Sequence, residues 1–517
     1  MPILSNFDRS VLLRLLFTTT GGLVVYYYYY YHVTRSILPS TQKLKKIPIP
    51  KGRVPYFGHL FSLTDSPSNQ LARWQKELGP IMCVSMGVKS WIFLGDPDLA
   101  HDLLGRHGAI TSNRPFQTFT HYYYSKNRGI VFNNPSPEWN KTRAAVLQFI
   151  SPKIIAGLNH ILEPEADALV QNLLDASIKH DQHQVDIIEP LQLASMNIIL
   201  CIGFGKRASS TSDSLFQAVM TNLEKTIEHA NMVRDMRTFL PAFSIFDYLF
   251  RPGMKNFIEK DTNPLYRQLI NEAHESNVDC LVNKLRELGH MDEKTLMVTM
   301  SDVIAGGSDT IAITAAWALV ILCCYQETQR AVRKEVDQFI VTYKRLPSFT
   351  DRNHLPLLVS VQKECMRYRV TSAFGLLHET SKDVTCRGYF IRKGTTIVSN
   401  MRAIHMNPDV YNDPEKFMPE RFMNRLKPMA TCANSNPQER DHFVFGWGRR
   451  TCPGIHMAEV EIYNILVRLL AKTTIEPMIS KEGNPIYPDL DKLVDAGGLI
   501  MPKDRVLRIN KRTDSPA

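Results

Sequence analysis

A single cysteine in a glycine-rich turn, followed at once by a helical pattern, constrains this chain more than any other stretch. The turn, Phe443–Gly454, reads FVFGWGRRTCPG, and the helical pattern covers Ile455–Leu470. Pro453 is expected in the first turn of that helix, where its missing N–H costs no hydrogen bond. Cys452 would then lie at a helix N-terminus, where the dipole and free N–H groups favour a thiolate.

The glycines of this turn, Gly446, Gly448 and Gly454, allow its backbone to lie flat against a planar group. A lone thiolate on such a platform, with Arg450 two residues away, suits a haem iron and a haem propionate. The same residues taken alone also fit a buried free cysteine beside an ordinary turn.

Composition excludes several other classes of protein. The nine cysteines are irregularly spaced with no Cys-x-x-Cys pair, so we expect neither a disulfide framework nor a zinc site. The formal net charge of +10 is modest for 517 residues, and no basic tract is interleaved with aromatics as in nucleic-acid-binding proteins. The charge fits an acidic protein partner or an anionic membrane surface better.

The N-terminus predicts a membrane anchor. Residues Val11–Val33 are mostly apolar or aromatic, with Arg14 the only charge, and this length can span a bilayer. Lysines and arginines follow, so the bulk of the chain should face the cytosol. A cleaved signal peptide is the alternative, which the long apolar run disfavours. We therefore expect an anchor (1–36), a basic proline-rich hinge (37–60) and one catalytic domain (61–517).

The catalytic part is predicted to be mainly helical, with a small strand-rich region. Amphipathic helical stretches are Asn69–Leu78, Asp96–Arg106, Glu138–Phe149, Pro164–Ser177 and Asp213–Met232, and short strands are Ile81–Met86, Ser90–Leu94, Val384–Phe390 and Thr395–Asn400. Thr111–Asn134 lacks periodicity and holds aromatics, so it is predicted to be a long loop that could line a pocket. Val494–Met501 is predicted to be a late turn near that pocket.

The longest apolar helical pattern, Met297–Gln326, predicts a helix buried through the middle of the body. Inside it, Gly306 and Gly307 should cost about 1 kcal/mol each relative to alanine. Asp309 and Thr310 follow, and neither suits an apolar core without partners. The glycines would let a planar group approach, Thr310 could bond a small ligand and Asp309 could relay protons. A kinked core helix with a solvated aspartate explains the same residues equally well.

Two further pairs stand at helical spacing. Trp139 and Arg143 share a helix face and could grip a carboxylate such as a propionate, although a stacked surface pair is the simpler interpretation. Glu364 and Arg367 form an i, i+3 pair, which is common on protein surfaces and contributes little there. If that pair is buried it needs another partner, which Arg421 could supply.

These stretches together resemble the cytochrome P450 family, the haem-thiolate monooxygenases, over essentially the whole chain and in the family's order. The matching motifs are the cysteine loop Phe445–Gly454, the oxygen-activating segment Gly306–Thr310, the helix with Trp139 and Arg143, the Glu-x-x-Arg segment Glu364–Arg367 and the segment Pro419–Phe422. The resemblance implies the cytochrome P450 fold, mainly α with a small β-rich region. It also implies the N-terminal transmembrane helix of the microsomal eukaryotic class.

The resemblance implies a role for each matching residue. Cys452 resembles the axial thiolate ligand of the haem iron, with Phe445 and Gly446 beside it. The resemblance further assigns propionate contacts to Arg450, Trp139, Arg143 and His378, proton delivery to Asp309 and Thr310, and support of the loop to the triad Glu364, Arg367 and Arg421. The chain departs from the family's pattern at Val370, Glu379 and Arg392. The course of residues 370–380, which would line the substrate pocket, is therefore left open.

The expected function is insertion of one oxygen atom from O2 into a lipophilic small molecule, with heme b as cofactor. The chain has no evident nicotinamide or flavin site, so the resemblance implies electrons from NADPH-cytochrome P450 reductase, with cytochrome b5 as a second donor. It also implies a single-pass protein of the endoplasmic reticulum membrane, monomeric and without a nucleic-acid partner. The alternatives are a haem-thiolate isomerase or dehydratase, against which the Asp309–Thr310 pair argues, and a non-catalytic haem sensor or carrier. The substrate does not follow from the sequence.

Overall fold

The computed structural model describes residues 44–63, 66–179, 184–231, 236–243, 253–496 and 498–516. The expected membrane anchor and the first part of the hinge lie outside these residues. The described part of the hinge is attached to the body by hydrogen bonds. The N–H of Lys45 donates to the carbonyl of Gly388 at 2.8 Å, and the N–H of Cys83 donates to the carbonyl of Pro48 at 2.8 Å.

Helices make up most of the described chain, as expected. In chain order they are α1 (Pro67–Leu78), α2 (Pro97–Ala100), α3 (Gly108–Thr111), α4 (Pro137–Phe149), α5 (Pro152–Ala156), α6 (Asn159–Lys179), α7 (Ile188–Phe204), α8 (Ser214–Ala230), α9 (Met236–Phe239), α10 (Gly253–Asn256), α11 (Asn263–Glu275), α12 (Leu281–Glu287), α13 (Glu293–Gly307), α14 (Asp309–Cys324), α15 (Gln326–Tyr343), α16 (Pro356–Tyr368), α17 (Met401–His405), α18 (Met429–Cys432) and α19 (Ile455–Lys472). Wider π-type turns are His101–Arg106, Thr118–Ser125 and Phe257–Thr262, and 3₁₀ turns are Leu60–Ser62, Pro241–Phe243, Phe349–His354, Pro437–Glu439 and Gly448–Arg450.

Several helix starts follow from local chemistry. Proline opens α1, α2, α4 and α16, where no intrahelical N–H bond is lost. The side chains of Asp96, Ser136 and Asp292 cap α2, α4 and α13 by accepting a backbone N–H from the first turn.

The strands are short. They are β1 (Ile81–Met86), β2 (Lys89–Leu94), β3 (Gln184–Asp186), β4 (His378–Glu379), β5 (Val384–Cys386), β6 (Tyr389–Ile391), β7 (Thr396–Ser399), β8 (Thr473–Glu476), β9 (Met478–Ile479), β10 (Pro485–Ile486), β11 (Leu493–Ala496), β12 (Leu499–Pro502) and β13 (Val506–Lys511). The largest sheet has the order β1-β2-β7-β4, with β2 and β7 parallel. A three-stranded sheet has the order β3-β13-β8. The predicted late turn is a hairpin of β11 and β12.

The core is built around α14, which is apolar on all sides and buried along almost its whole length. Trp317, in the middle of α14, is 1% exposed and donates its indole N–H to the carbonyl of Ile500 at 2.8 Å. Within the described chain, α13 and α14 taken together (Glu293–Cys324) are the one helical stretch long and apolar enough to cross a membrane, yet 83% of its apolar window is buried inside the protein. It is therefore a core helix, as the sequence pattern predicts.

The structure differs from the sequence prediction at two places that matter for the site. The predicted single helix Met297–Gln326 is interrupted at Ser308, whose φ and ψ are −91° and −77°. The Ser308 carbonyl accepts the N–H of Ala312 at 3.3 Å and also the hydroxyl of Ser195, on α7, at 2.9 Å. The predicted loop Thr111–Asn134 contains the helical turn Thr118–Ser125.

Candidate functional site

The cysteine loop is a tight turn fixed by its own backbone. The N–H of Cys452 donates to the carbonyl of Phe445 at 2.9 Å. Gly446 and Gly448 have φ values of +75° and +55°. At Gly448 a Cβ atom would lie 2.3 Å from the carbonyl oxygen of Leu104, so only glycine fits there.

Cys452 is a free cysteine that faces an interior space. Its side chain is exposed, yet burial raises the pKa of its thiol, while the Gly454 N–H and the Arg143 guanidinium lower that pKa. A side chain that is exposed and also removed from bulk water opens onto an internal cleft. Helix α19 begins at Ile455 with Gly454 as its N-cap, so Pro453 precedes the helix and does not lie in its first turn as expected.

Arg450 and Arg143 extend from this loop and from α4 toward the same region. The guanidinium of Arg450 donates to the carbonyls of Ser112 at 2.9 Å and Ile130 at 3.1 Å. That of Arg143 donates to the carbonyl of Thr451. Burial, followed by repulsion from Arg143, lowers the pKa of Arg450 to about 9. Within the described chain the hydrogen bonds of both cations therefore go to uncharged carbonyls.

Trp139 lies within cation–π distance of both arginines. The Arg450 guanidinium is 4.3 Å from a Trp139 ring centroid, and the Arg143 guanidinium is 5.6 Å from one. The indole N–H donates to the carbonyl of Ile130 at 3.0 Å. The structure thus places the predicted pair and Arg450 together, and the carbonyl of Ile130 is shared by Trp139 and Arg450.

The sequence interpretation missed Arg114, which belongs to the same cationic group. Its guanidinium donates to the carbonyls of Val131 at 3.0 Å and Leu377 at 2.6 Å, and the residue is 6% exposed. Burial lowers its pKa, and Arg450 and Arg143 lower it further. The available signal was that Arg114 is the only charged residue between positions 111 and 125.

His378, on β4, completes the group. Its Nδ1–H donates to the carbonyl of Thr111 at 2.9 Å. Burial, then Arg114 and Arg450, lower its pKa to about 3, so the imidazole is neutral here. Within the described residues, none of the three arginines Arg114, Arg143 and Arg450 has a carboxylate partner. Such a buried excess of positive charge favours an anionic ligand.

The central helix presents open space at Gly306. This residue is exposed although the residues of α13 and α14 around it are largely buried, and a Cβ atom there would meet nothing within 4 Å. Thr310 Oγ1 donates to the Gly306 carbonyl at 2.8 Å. Asp309 is buried and accepts a hydrogen bond from Gln192 Nε2 at 2.9 Å. Burial raises the pKa of Asp309, and Glu224 raises it further.

The predicted triad is brought into direct contact. Glu364 and Arg367 are fully buried and share two N–H···O bonds of 2.7 Å, and Arg421 Nε donates to Glu364 at 3.0 Å. Arg367 also donates to the carbonyl of His405 at 3.1 Å. His405 Nε2 in turn accepts the N–H of Phe443, the first residue of the cysteine loop, at 2.9 Å.

Comparison with known proteins identifies the family. The family description that matches is cytochrome P450, over residues 48–502. The chain belongs to the cytochrome P450 family. Among its relatives are cytochrome P450 monooxygenase 58 of Postia placenta, 26% identical over 91% of this chain and 89% of that protein, and cytochrome P450 monooxygenase verL of Clonostachys rogersoniana, 26% identical over 92% and 89%. Steroid 17-alpha-hydroxylase/17,20 lyase of Felis catus is 26% identical over 84% and 88%.

Membership confirms the mainly helical P450 fold and makes this chain an oxygen-incorporating oxidoreductase of the P450 monooxygenase class. P450 enzymes use haem, and the residues described here fit that group. A free thiol faces an interior space, and the buried cations lack counter-charges. Open space lies over Gly306, and a Cβ atom at Gly446 would come no closer than 4.0 Å to another group.

Proposed function

We propose that this P450 is a haem-thiolate monooxygenase that inserts one oxygen atom of O2 into a lipophilic small molecule. The observation that carries the proposal is the free thiol of Cys452, which faces an interior space beside buried cations without counter-charges. Bound heme b would supply the iron at which O2 is reduced. The two alternative functions are a haem-thiolate isomerase or dehydratase and a non-catalytic haem carrier. Neither function requires residues such as Asp309 and Thr310 that hold protons near the central helix.

The cysteine loop would supply the axial ligand. The Gly454 N–H and the Arg143 guanidinium both lower the pKa of Cys452, which favours the thiolate once a metal is bound. Phe445 and Gly446 belong to the same turn and would lie beside the ligand. The propionates would be held by Arg450, Trp139, Arg143 and His378, and we add Arg114 to this set.

Asp309 and Thr310 would hold and move protons next to the open space at Gly306. The Thr310 hydroxyl already donates to the Gly306 carbonyl, which leaves the lone pairs of its oxygen free to accept a hydrogen bond from a neighbour. The raised pKa of Asp309 brings proton exchange at its carboxyl closer to neutral pH.

The triad of Glu364, Arg367 and Arg421 would hold the cysteine loop in position. Two hydrogen bonds through His405 connect the triad to the loop. Arg367 donates to the carbonyl of His405, and the His405 ring accepts the N–H of Phe443. A fully buried ion pair with this many hydrogen bonds is rigid. Its proposed role is therefore structural and not chemical.

Electrons would come from NADPH-cytochrome P450 reductase, with cytochrome b5 as a second donor. Arg449 and Arg106 are exposed beside Gly448, where they line one cleft together with His101 and Arg440. This basic surface adjoins the cysteine loop and suits an acidic partner.

The proposed location is the endoplasmic reticulum membrane, with residues 1–36 as a single anchor, 37–60 as a hinge and 61–517 as the cytosolic catalytic domain. Ile49, Val54 and Phe61, near the start of the described chain, are exposed apolar side chains, which supports contact between this end and a membrane.

Phe116, Tyr122 and Leu376 leave further apolar surface uncovered in the segments expected to line the pocket. These three residues support a lipophilic substrate.

The test is the absorption spectrum of the reduced, carbon-monoxide-bound protein. Wild type and Cys432→Ala should show a strongly red-shifted Soret band, which Cys452→Ala should lose. An unshifted band in the wild type would refute ligation by Cys452. NADPH consumption with reductase present, coupled to product formation, separates the monooxygenase from the isomerase and the carrier.

A further inference from the structure

A small, largely enclosed cavity lies where the start of α1, the end of α16 and helix α17 meet. Its volume is about 20 Å³, which is room for one small molecule or ion. Its polar lining comes from Ser68, Arg367, Arg369, Arg402 and His405. No residue of the cysteine loop lines it, although Arg367 and His405, which support that loop, belong to its lining.

His405 presents a hydrogen-bond donor without an acceptor. Its Nε2 accepts the N–H of Phe443, so Nε2 carries no proton. Burial holds the pKa of His405 well below its usual value, and His442, Arg367 and Arg440 add to that effect, so the ring is neutral. The ring proton must then be on Nδ1. This atom is buried and has no hydrogen-bond partner in the described chain.

Two more lining residues lack partners. Ser68 is 1% exposed, and its Oγ has no hydrogen bond in the described chain. The guanidinium of half-buried Arg402 forms neither a hydrogen bond nor an ion pair there. Burial, followed by repulsion from Arg369, lowers its pKa against the opposing attraction of Asp491. All three residues line the same small space, and buried donors are normally paired.

The charges of the lining leave one cation unbalanced. Arg367 is paired with Glu364 at 2.7 Å, and Arg369 is paired with Asp491 at 2.9 Å. Arg402 forms no ion pair in the described chain; Asp491 raises its pKa, but that carboxylate is already paired with Arg369. The three arginines of the lining therefore face two carboxylates, Glu364 and Asp491, and among the described residues no carboxylate lines the cavity itself. One monovalent anion would both balance Arg402 and accept hydrogen bonds from His405 and Ser68. Water would satisfy the donors without balancing the charge.

We propose that this cavity binds one small inorganic anion, and that chloride is its occupant. Because His405 also holds the N–H of Phe443, the bound anion would stabilise the support of the cysteine loop. The proposal concerns protein stability and does not depend on the proposed reaction or substrate.

The experiment follows thermal unfolding of the full-length protein by circular dichroism while chloride replaces gluconate at constant ionic strength. In wild type, the midpoint should rise by a few degrees and saturate, because a ligand that binds only the folded state stabilises it. Arg402→Met should abolish this rise. Arg330→Met, which removes an exposed arginine paired with Glu327, should retain it. An absent rise in wild type, or an equal rise in Arg402→Met, would overturn the proposal.

Crystallography supplies a readout that needs no variant. A wild-type crystal grown with bromide in place of chloride should show an anomalous peak within hydrogen-bond distance of His405 Nδ1. A cavity that contains only water under those conditions would refute the anion, whatever the behaviour of Arg402→Met.

Discussion

The carboxylate of Asp302 accepts the backbone N–H of Ile130 at 2.7 Å. The carbonyl of Ile130 in turn accepts the indole N–H of Trp139 and a guanidinium N–H of Arg450. One peptide segment thus links the central helix to the buried cations. Gly129 makes this approach possible, since a Cβ atom there would lie 2.4 Å from Asp302 Oδ2.

The first prediction concerns pH. Burial raises the pKa of Asp302 from 3.8 to about 6, against the opposing effect of the Ile130 and Val131 N–H groups. The folded state therefore binds more protons than the unfolded state between these values. The contribution of Asp302 to stability is fully present below about pH 4 and is lost as pH rises through about 6. A shift of this size corresponds to about 3 kcal/mol.

Urea unfolding of wild type and Asp302→Asn at pH values from 4 to 8 measures this contribution. The free energy of unfolding of wild type minus that of Asp302→Asn should fall as pH rises toward 7 and then stay constant. A difference independent of pH would show that Asp302 does not titrate in this range.

The second prediction tests the approach at Gly129. Gly129 and Gly289 both have positive φ, +73° and +63°, but a Cβ atom at Gly289 would meet nothing within 4 Å. Each Gly→Ala change should cost about 1–2 kcal/mol from backbone strain. Gly129→Ala should cost about 1–3 kcal/mol more, because Asp302 and Val298 must shift. The measurement is thermal or urea unfolding. Equal losses of unfolding free energy in Gly129→Ala and Gly289→Ala would mean that Asp302 and Val298 move aside at little cost.

The third prediction compares two ion pairs with the same i, i+3 spacing. Glu364–Arg367 is fully buried, whereas both side chains of Glu327–Arg330 are mostly exposed. Glu364→Ala should lower the free energy of unfolding by about 3–5 kcal/mol, because it leaves buried arginines without a counter-charge. Glu327→Ala should change it by at most about 1 kcal/mol. Similar small effects of both changes would refute a structural role for the triad.

Local patterns predicted much of this molecule. The spacing of apolar residues predicted α4 and β1 to within one residue, and the glycines of the cysteine loop predicted its tight turn. The missed features depend on distant segments. Asp302 acts on a residue 172 positions away, and the carbonyl at the break, that of Ser308, accepts a hydrogen bond from the distant Ser195. No periodicity in either segment carries that information, because each partner alone is an ordinary polar residue.

The fourth prediction concerns the cationic group. Arg114 has no carboxylate partner in the described chain, and Arg450 and Arg143 are near enough to lower its pKa. If it contacts a haem propionate, Arg114→Met should lose a charged hydrogen bond of about 1.5–3 kcal/mol. Haem transfer to apomyoglobin should then be roughly ten- to a hundredfold faster. Arg128→Met, near Asp292 on the surface, is the matched control and should leave the rate unchanged.

The fifth prediction concerns Thr310, whose hydroxyl donates to the carbonyl of Gly306 at 2.8 Å beside open space. Thr310→Val keeps the shape of the side chain but removes the group that holds a proton, so more NADPH should be spent on hydrogen peroxide and less on product.

Thr310→Ser retains the hydroxyl and should stay close to wild type. Thr314→Val removes a hydroxyl one turn further along α14, at a residue 8% exposed, and should not change the ratio. The measurement is hydrogen peroxide released per NADPH consumed, with reductase and a lipophilic substrate found by spectral screening. Equal ratios in Thr310→Val and wild type would remove Thr310 from proton delivery and leave Asp309 as the remaining candidate.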